Sequence, residues 1–154
     1  DLVGLRDYGN PYEYVPCPSC LYSRFDRPRR TSNLGVLVME HYDHPIHIPG
    51  TFFRRATNEQ PISAMPSLIQ AIANADYVIT NTWHCLYWSM LLNVKVLCWK
   101  PFSNRFHTFK HPVVFCDETN LEEKLSQAKT YPGYLEECRS LNLKFAEKIT
   151  AFFA

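Results

Sequence analysis

The sequence predicts an α/β domain with a mostly parallel sheet and helices on both faces, and two observations support this prediction. From residue 35 onward, continuous apolar runs typical of strands buried on both faces alternate with helix-like segments. Such an alternation implies right-handed crossovers between parallel strands. The 154 residues, 46% of them hydrophobic, are enough for one domain with a core. We therefore expect a three-layer Rossmann-like domain over residues 34–154, preceded by a strand and a linker or loop over residues 1–33 from an incomplete N-terminal part.

The expected strands are short apolar runs. The first, Leu2 to Leu5, ends in the charged pair Arg6-Asp7, and residues 8–33 then show no helical period. Residues 40–62 contain three prolines and Gly50, so we expect them to be irregular. The main strands, all predicted to be parallel, are Val36 to Met39, Val78 to Thr80, Val94 to Trp99, and Val113 to Cys116.

Four helices are expected between and after these strands. The first has apolar residues at i, i+3, i+4 and i+7 from Met65, with Ser63 as its cap. The second, nearly all apolar, ends at Asn93, a residue that tolerates the left-handed conformation. Asn120 and Glu123 predict a capping box for the third helix, to about Ala128. The last helix is expected to begin at about Tyr134.

Composition excludes some classes of function. A formal net charge of +1 argues against a nucleic-acid-binding protein, which normally carries a strongly basic face. No apolar stretch approaches the length that crosses a bilayer. The six cysteines are not needed as disulfide staples in a chain with this much core, and Cys98 and Cys116 lie in apolar runs. We expect a reducing, cytoplasmic setting.

The strongest candidate site is the turn Thr80-Asn81-Thr82-Trp83-His84. Ligands of open α/β sheets bind outside the carboxyl ends of the strands, and a helix N-terminus offers unpaired N–H groups to an anion. His84, in the first helical turn, is a candidate general acid or base. The alternative interpretation is that Asn81 or Thr82 only caps the helix and His84 is a satisfied core residue.

A second candidate follows the next strand. Ser103, Asn104 and Arg105 could hold an anion there, with Arg105 binding it through two N–H groups. Arg6, at the end of the first strand, is a further candidate for the same ligand. The alternative is that the loop is simply solvated.

The Cys17-Pro-Ser-Cys20 motif invites a metal or a redox interpretation. A structural zinc site usually needs a second ligand pair, and the prolines among His41, His44 and His47 argue against the helix that would align them. We therefore predict no metal. A thioredoxin-type motif would lie at a helix start after a strand, which Pro16 and Pro18 do not indicate.

Four segments together carry a resemblance to a known family. They are Val3-Gly4-Leu5-Arg6-Asp7, Tyr14 to Cys20, Ile79 to His84, and Pro101 to Phe106, and they occur in this order. They resemble the C-terminal portion of polysaccharide pyruvyl transferase-like proteins and related glycosyltransferases of capsule and lipopolysaccharide clusters. The resemblance covers most of residues 1–118.

The resemblance implies one half of a glycosyltransferase-B type fold, with an active site in the cleft between two Rossmann-like domains. It implies that His84 is a proton donor and that Arg105 is the basic residue after the next strand. Thr82 stands where the family has an arginine, and Cys85 where it has a glycine. The first departure weakens phosphoenolpyruvate as the donor and leaves a nucleotide sugar open.

Two hypotheses result from these observations. The first is the donor-binding half of a transferase of surface polysaccharide biosynthesis, incomplete as a single chain and without a cofactor. Its partners would be a nucleotide sugar or phosphoenolpyruvate donor and a glycan acceptor, through which it would associate peripherally with a membrane. His84 would be the acid or base, and Asn81, Thr82, Ser103, Asn104, Arg105 and Arg6 would hold the donor. The second is a non-catalytic Rossmann-like module that binds a nucleotide or a partner.

Overall fold

The computed structural model describes residues 2–26, 30–48, 53–57 and 64–154. Its strands are β1 (Gly4–Leu5), β2 (Glu13–Tyr14), β3 (Val36–Glu40), β4 (Phe53–Thr57), β5 (Tyr77–Thr80), β6 (Lys95–Trp99) and β7 (Phe115–Cys116). Its α-helices are α1 (Met65–Ala73), α2 (Trp83–Leu91), α3 (Leu121–Gln127) and α4 (Tyr134–Phe153). Short 3-10 turns lie at Pro18–Leu21, Ser23–Phe25 and Asn104–His107.

Five strands form one parallel sheet in the order β4-β3-β5-β6-β7. The four main strands expected from the sequence all belong to this sheet, which confirms the predicted parallel α/β architecture. Strands β1 and β2 form a separate two-residue parallel pair. After β3, the chain first adds β4 on one side of β3 and then adds β5 on the other side. The gap between β3 and β5 is therefore the topological switch point, where sheets of this kind bind their ligands.

The two faces of the sheet are covered differently. Helices α1, α2 and α4 pack on one face, where Ile72, Leu86 and Cys138 are fully buried. Helix α3 and the segment around Ile46 pack on the other face. Because successive strand residues point to opposite faces, Val38 and Leu37 belong to different halves of the core. The layers predicted from the sequence are thus present on both sides of the sheet.

One strand was wrongly predicted as irregular chain. Residues 53–57 form β4, within the stretch of residues 40–62 expected to be irregular. Among the described strands, β4 lies at the edge of the sheet and pairs only with β3. An edge strand does not need the continuous apolar run that is typical of a central strand. The sequence of β4 contains two arginines, so a search for apolar runs does not identify it as a strand.

Of the predicted helix ends, one is wrong, one lies outside the described residues and one is confirmed. Asn120 does not cap α3, because its Oδ1 instead accepts a hydrogen bond from the Asp117 N–H at 3.0 Å. The predicted capping box is therefore wrong, although α3 ends within one residue of the expected position. Ser63 lies outside the described residues. Asn93 follows α2 with a φ of 56°, as the sequence predicts for its end.

The N-terminal segment packs into the core of the domain. Cys17, Cys20 and Phe25 are buried with α2 and α4. Arg139 Nε of α4 donates to the Cys20 carbonyl at 2.8 Å, and Tyr87 Oη of α2 donates to the Cys17 carbonyl at 3.0 Å. These hydrogen bonds fix residues 17–25 against the two helices and bring the Cys17-x-x-Cys20 motif beside the N-terminus of α2.

Candidate functional site

A cavity of about 480 Å³ opens at the carboxyl ends of β3 and β5, at the topological switch point. Four residues predicted from the sequence line it: Thr82, His84, Ser103 and Arg105. The other lining residues are mostly aromatic or apolar: Ser19, Met39, His41, Met65, Leu68, Trp83, Cys85, Trp88, Phe102 and Phe106. We call this space the switch-point cavity. A concave, mainly apolar site with a few polar groups is typical of small-molecule binding.

The turn before α2 is held by a chain of hydroxyl groups. Thr80 Oγ1 donates to the Met39 carbonyl at 2.6 Å and accepts from the Thr82 N–H at 3.0 Å. Thr82 Oγ1 accepts from the Cys85 N–H at 3.3 Å and so caps the helix. Thr82 thus has the structural role weighed as the alternative, although it also borders the cavity. The chain of contacts fixes the direction in which α2 leaves the sheet.

Asn81 holds the loop that follows β3 in place through two hydrogen bonds. Its Oδ1 accepts from the His41 N–H at 2.8 Å, and its Nδ2 donates to the His44 carbonyl at 2.7 Å. The side chain is buried, and both ends of its amide are engaged in these bonds. The geometry therefore gives Asn81 a structural role, and the amide shapes the cavity through the position of His41.

Replacing Asn81 with Ala should lower the free energy of unfolding by about 2 kcal/mol, because the substitution leaves the partly buried His41 N–H and His44 carbonyl without their partner. Chemical denaturation monitored by circular dichroism measures the change. Asn104→Ala is the matched control, since Asn104 is an exposed asparagine that does not line the cavity. A surface substitution of this kind should change stability by less than about 0.5 kcal/mol. Equal stability losses in both variants would contradict the structural role of Asn81.

His84 is the second residue of α2 and its side chain is exposed to the cavity. This position agrees with the expected first-turn location and differs from the buried core histidine of the alternative interpretation. The ring lies edge-on to Trp83, at 5.3 Å between centroids, and near Trp88. Its Nε2 is 3.9 Å from Cys17 Sγ. His84 is therefore open to a ligand and has a thiol as its neighbour.

Two arginines lie over the indole ring of Trp83. The Cζ atom of Arg6 is 4.7 Å from the ring centroid, and that of Arg105 is 5.3 Å away. Trp83 also stacks on Phe109 and Tyr87. Stacking on an aromatic ring orients a guanidinium group and leaves its N–H edge available. The structure thus brings together Arg6 and Arg105, two residues that are 99 positions apart.

Two buried donors at this cavity have no protein partner among the described residues: Trp83 Nε1 and Arg105 Nη2. Arg105 Nε is 3.9 Å from the Asp7 carboxylate, which also accepts from the Thr108 hydroxyl. Buried N–H groups in proteins nearly always have an acceptor, and a bound ligand or a water molecule supplies it when the protein does not. The oxygen atoms of an anionic ligand are acceptors of this kind.

His41 lines the cavity together with Phe102, and neither His41 nor the neighbouring His44 belonged to the site predicted from the sequence. Phe102 stacks on His44 at 4.2 Å between centroids and meets His41 edge-on at 5.3 Å. The residues come from the loops after β6 and β3. Their signal in the sequence was the run of three histidines after an apolar strand, which was considered only for metal binding. Within the described ranges, no group of three or more His, Cys, Asp or Glu side chains is arranged to hold a metal ion.

The Cys17-x-x-Cys20 motif was the other signal that the sequence interpretation undervalued. Cys17 is the N-cap of the 3-10 turn Pro18–Leu21 and comes three residues after β2. Pro16 and Pro18 did not indicate a helix start, and the structure has a four-residue 3-10 turn at this position rather than an α-helix. Proline is favoured at the first position of a helix, where its missing N–H would have had no partner.

A second cavity, of about 620 Å³, lies at the amino ends of the strands. It is bordered by Arg30, Asp76, Tyr77 and Lys95, among others. Its charged groups already pair with each other or with a hydroxyl: Arg30 contacts Asp76 at 2.5 Å, and Lys95 Nζ donates to Tyr77 Oη at 3.2 Å. Although it is larger, it lies at the edge of the sheet opposite to the one that binds ligands in such folds.

Over the part of the chain that the structure describes, no helix is both long and apolar enough to cross a membrane. No protein-family model matches the chain, and searches of curated proteins and of solved structures likewise find no match.

Proposed function

We propose that the switch-point cavity binds a donor molecule through its phosphate or carboxylate, and that the domain is the donor-binding half of a transferase acting on a glycan. The observation that carries the proposal is the pair of unsatisfied buried donors, Trp83 Nε1 and Arg105 Nη2, beside the exposed imidazole of His84. The resemblance to polysaccharide pyruvyl transferase-like proteins supports the same class of reaction.

Each part of the cavity has a function in this proposal. Arg105 and the indole N–H of Trp83 hold the anionic group, and Arg6 adds positive charge beside them. The N-terminus of α2 presents further N–H groups and a partial positive charge to the same region. The apolar and aromatic wall accommodates the body of the donor. His84 donates a proton to the group that leaves, or accepts one from the acceptor hydroxyl.

The second candidate, a binding module without catalysis, is favoured by one observation. Asn81 and Thr82, two of the residues predicted to hold the donor, use their polar atoms inside the fold. Such a module would bind the same anionic ligands without turnover. The two functions therefore share the binding site and differ in what His84 does.

Calorimetric titration with nucleotide sugars, nucleoside diphosphates and phosphoenolpyruvate tests the binding site. We expect at least one of these to bind, and Arg105→Gln to weaken that binding about 10- to 100-fold, the value of a charge-assisted hydrogen bond of about 1.5–3 kcal/mol. Arg24→Gln is the control, because Arg24 is exposed and does not border the cavity. If no anionic donor binds, or if both variants bind equally well, the proposed site is wrong.

A further inference from the structure

The Cys17-x-x-Cys20 motif has an arrangement that the proposed transfer reaction does not use. We propose that Cys17 and Cys20 form a redox-active dithiol, in which Cys17 attacks a small disulfide and His84 activates it. This inference does not depend on the proposed transferase function, because the dithiol would react whether or not the domain transfers a group.

The geometry separates an outer thiol from an inner one. Cys17 Sγ lies 3.9 Å from His84 Nε2 and 3.3 Å from Ser19 Oγ, and both of these partners line the switch-point cavity. Cys20 is fully buried one turn later, where its N–H donates to the Cys17 carbonyl and its Sγ accepts from Asn142 Nδ2 at 3.4 Å. Cys17 is thus in the position of an attacking thiol and Cys20 in that of a resolving thiol.

The surroundings of Cys17 are held in place by hydrogen bonds. Ser19 Oγ accepts from Trp88 Nε1 at 3.1 Å, and Tyr87 Oη donates to the Cys17 carbonyl. Cys17 retains 9% exposure, whereas the other five cysteines retain at most 4%. Cys17 is therefore the most exposed of the six cysteines, and its thiol contacts two residues of the cavity wall, Ser19 and His84.

The charged and titratable groups around the motif come from three elements. Helix α2 provides His84 and Tyr87, α4 provides Cys138 and Arg139, and the motif provides Cys20. Burial of the Cys17 thiol opposes its ionisation, but the hydrogen bonds from His84 and Ser19 outweigh burial and lower its pKa to about 7.

The other cysteines show the opposite behaviour. Burial raises the pKa of Cys20 and Cys98, and it raises the pKa of Cys85, Cys116 and Cys138 to about 12. Because the thiolate is the nucleophile, Cys17 should react with an electrophile before any other cysteine does.

The reaction has two balanced steps. The Cys17 thiolate attacks one sulfur of a low-molecular-weight disulfide, forms a mixed disulfide and expels one thiolate. Cys20 then gives its proton to the expelled thiolate and attacks the Cys17 sulfur, which forms the Cys17–Cys20 disulfide and expels the second thiolate, which takes up the proton that Cys17 released on ionising. The small disulfide is reduced to two thiols, and the protein dithiol is oxidised by two electrons.

Mass spectrometry after treatment with glutathione disulfide identifies the products. We expect the intact chain to form a Cys17–Cys20 disulfide, and Cys20→Ser to stop at one glutathione on Cys17. Cys17→Ser should remain unmodified, and Cys138→Ser, the control for a buried cysteine near the motif, should still form the disulfide. The proposal is overturned if another cysteine reacts first, or if the intact chain retains glutathione on Cys17 without closing the disulfide.

The rate of alkylation by iodoacetamide against pH tests the role of His84. For the intact chain, the fast phase should have its midpoint near pH 7, the lowered pKa of Cys17. In His84→Gln the midpoint should move toward the ordinary value of 9.0. At pH 7 the loss of thiolate, partly offset by its greater nucleophilicity, should slow alkylation about 5- to 10-fold. An unchanged midpoint in His84→Gln would overturn the pairing, and His107→Gln is the matched control.

Discussion

In the proposed transfer reaction, replacement of His84 by Gln should reduce turnover by a factor of about 10²–10⁴, with little change in donor affinity. Glutamine keeps a polar side chain of similar size but cannot donate and accept a proton during the reaction, and general acid–base catalysis contributes a factor of this order. The binding groups Arg105 and Trp83 are unaffected by the substitution. Steady-state kinetics with a binding nucleotide sugar or phosphoenolpyruvate measure the effect.

His107→Gln is the control for this prediction. His107 belongs to the same 3-10 turn as Arg105 but is exposed beside Phe115 and does not line the cavity. It should keep normal turnover. Normal turnover in His84→Gln would show that the histidine is not catalytic and would favour the binding module over the transferase.

Tyr87→Ala should lower the free energy of unfolding by about 3–5 kcal/mol, the cost of removing a large aromatic side chain from a packed core. Tyr87 is 1% exposed, stacks on Trp83 and meets Tyr134 of α4 edge-on. Its hydroxyl donates to the Cys17 carbonyl. Burial raises the pKa of Tyr87, so the hydroxyl keeps its proton for this bond. The residue thus joins α2, α4 and the N-terminal segment.

Two further variants separate packing from hydrogen bonding at Tyr87. Tyr87→Phe keeps the ring and loses only the hydrogen bond, so it should cost about 1–2 kcal/mol. Tyr12→Ala removes a tyrosine that is 55% exposed and should change stability by less than about 0.5 kcal/mol. Urea denaturation compares the three variants. A loss below about 1 kcal/mol in Tyr87→Ala would show that the N-terminal segment does not depend on this contact.

The sequence pattern predicts those parts of the fold in which burial determines residue type. The central strands carry continuous apolar runs, and α2 is apolar on nearly all sides because it is covered by the sheet, α1 and α4. Strand β4 has no continuous apolar run, because an edge strand of a sheet has a neighbouring strand on one side only. Asn120 fits the sequence pattern of a helix cap, but its side chain accepts a hydrogen bond from the Asp117 N–H instead.

The location of the candidate site can be predicted from the sequence, but several of the contacts within it cannot. A polar turn between a buried strand and a buried helix identifies His84, and the rule for strand ends adds Ser103 and Arg105. Nothing in the sequence indicates that Cys17 contacts His84, because the two residues are 67 positions apart and meet only when the N-terminal segment packs on α2. For the same reason, the engagement of Asn81 with the loop after β3 could not be foreseen.

The proposed anionic ligand binds at the switch-point cavity and satisfies the unpaired donors there. The indole N–H resonances in ¹H–¹⁵N nuclear magnetic resonance spectra report on this directly, because Trp83 borders the cavity while Trp99 is buried on the other face of the sheet. Titration with the nucleotide sugar or phosphoenolpyruvate that binds should shift the Trp83 indole resonance and leave that of Trp99 unchanged. An unmoved Trp83 resonance, with shifts instead at Asp76, Tyr77 and Lys95 around the second cavity, would contradict the account.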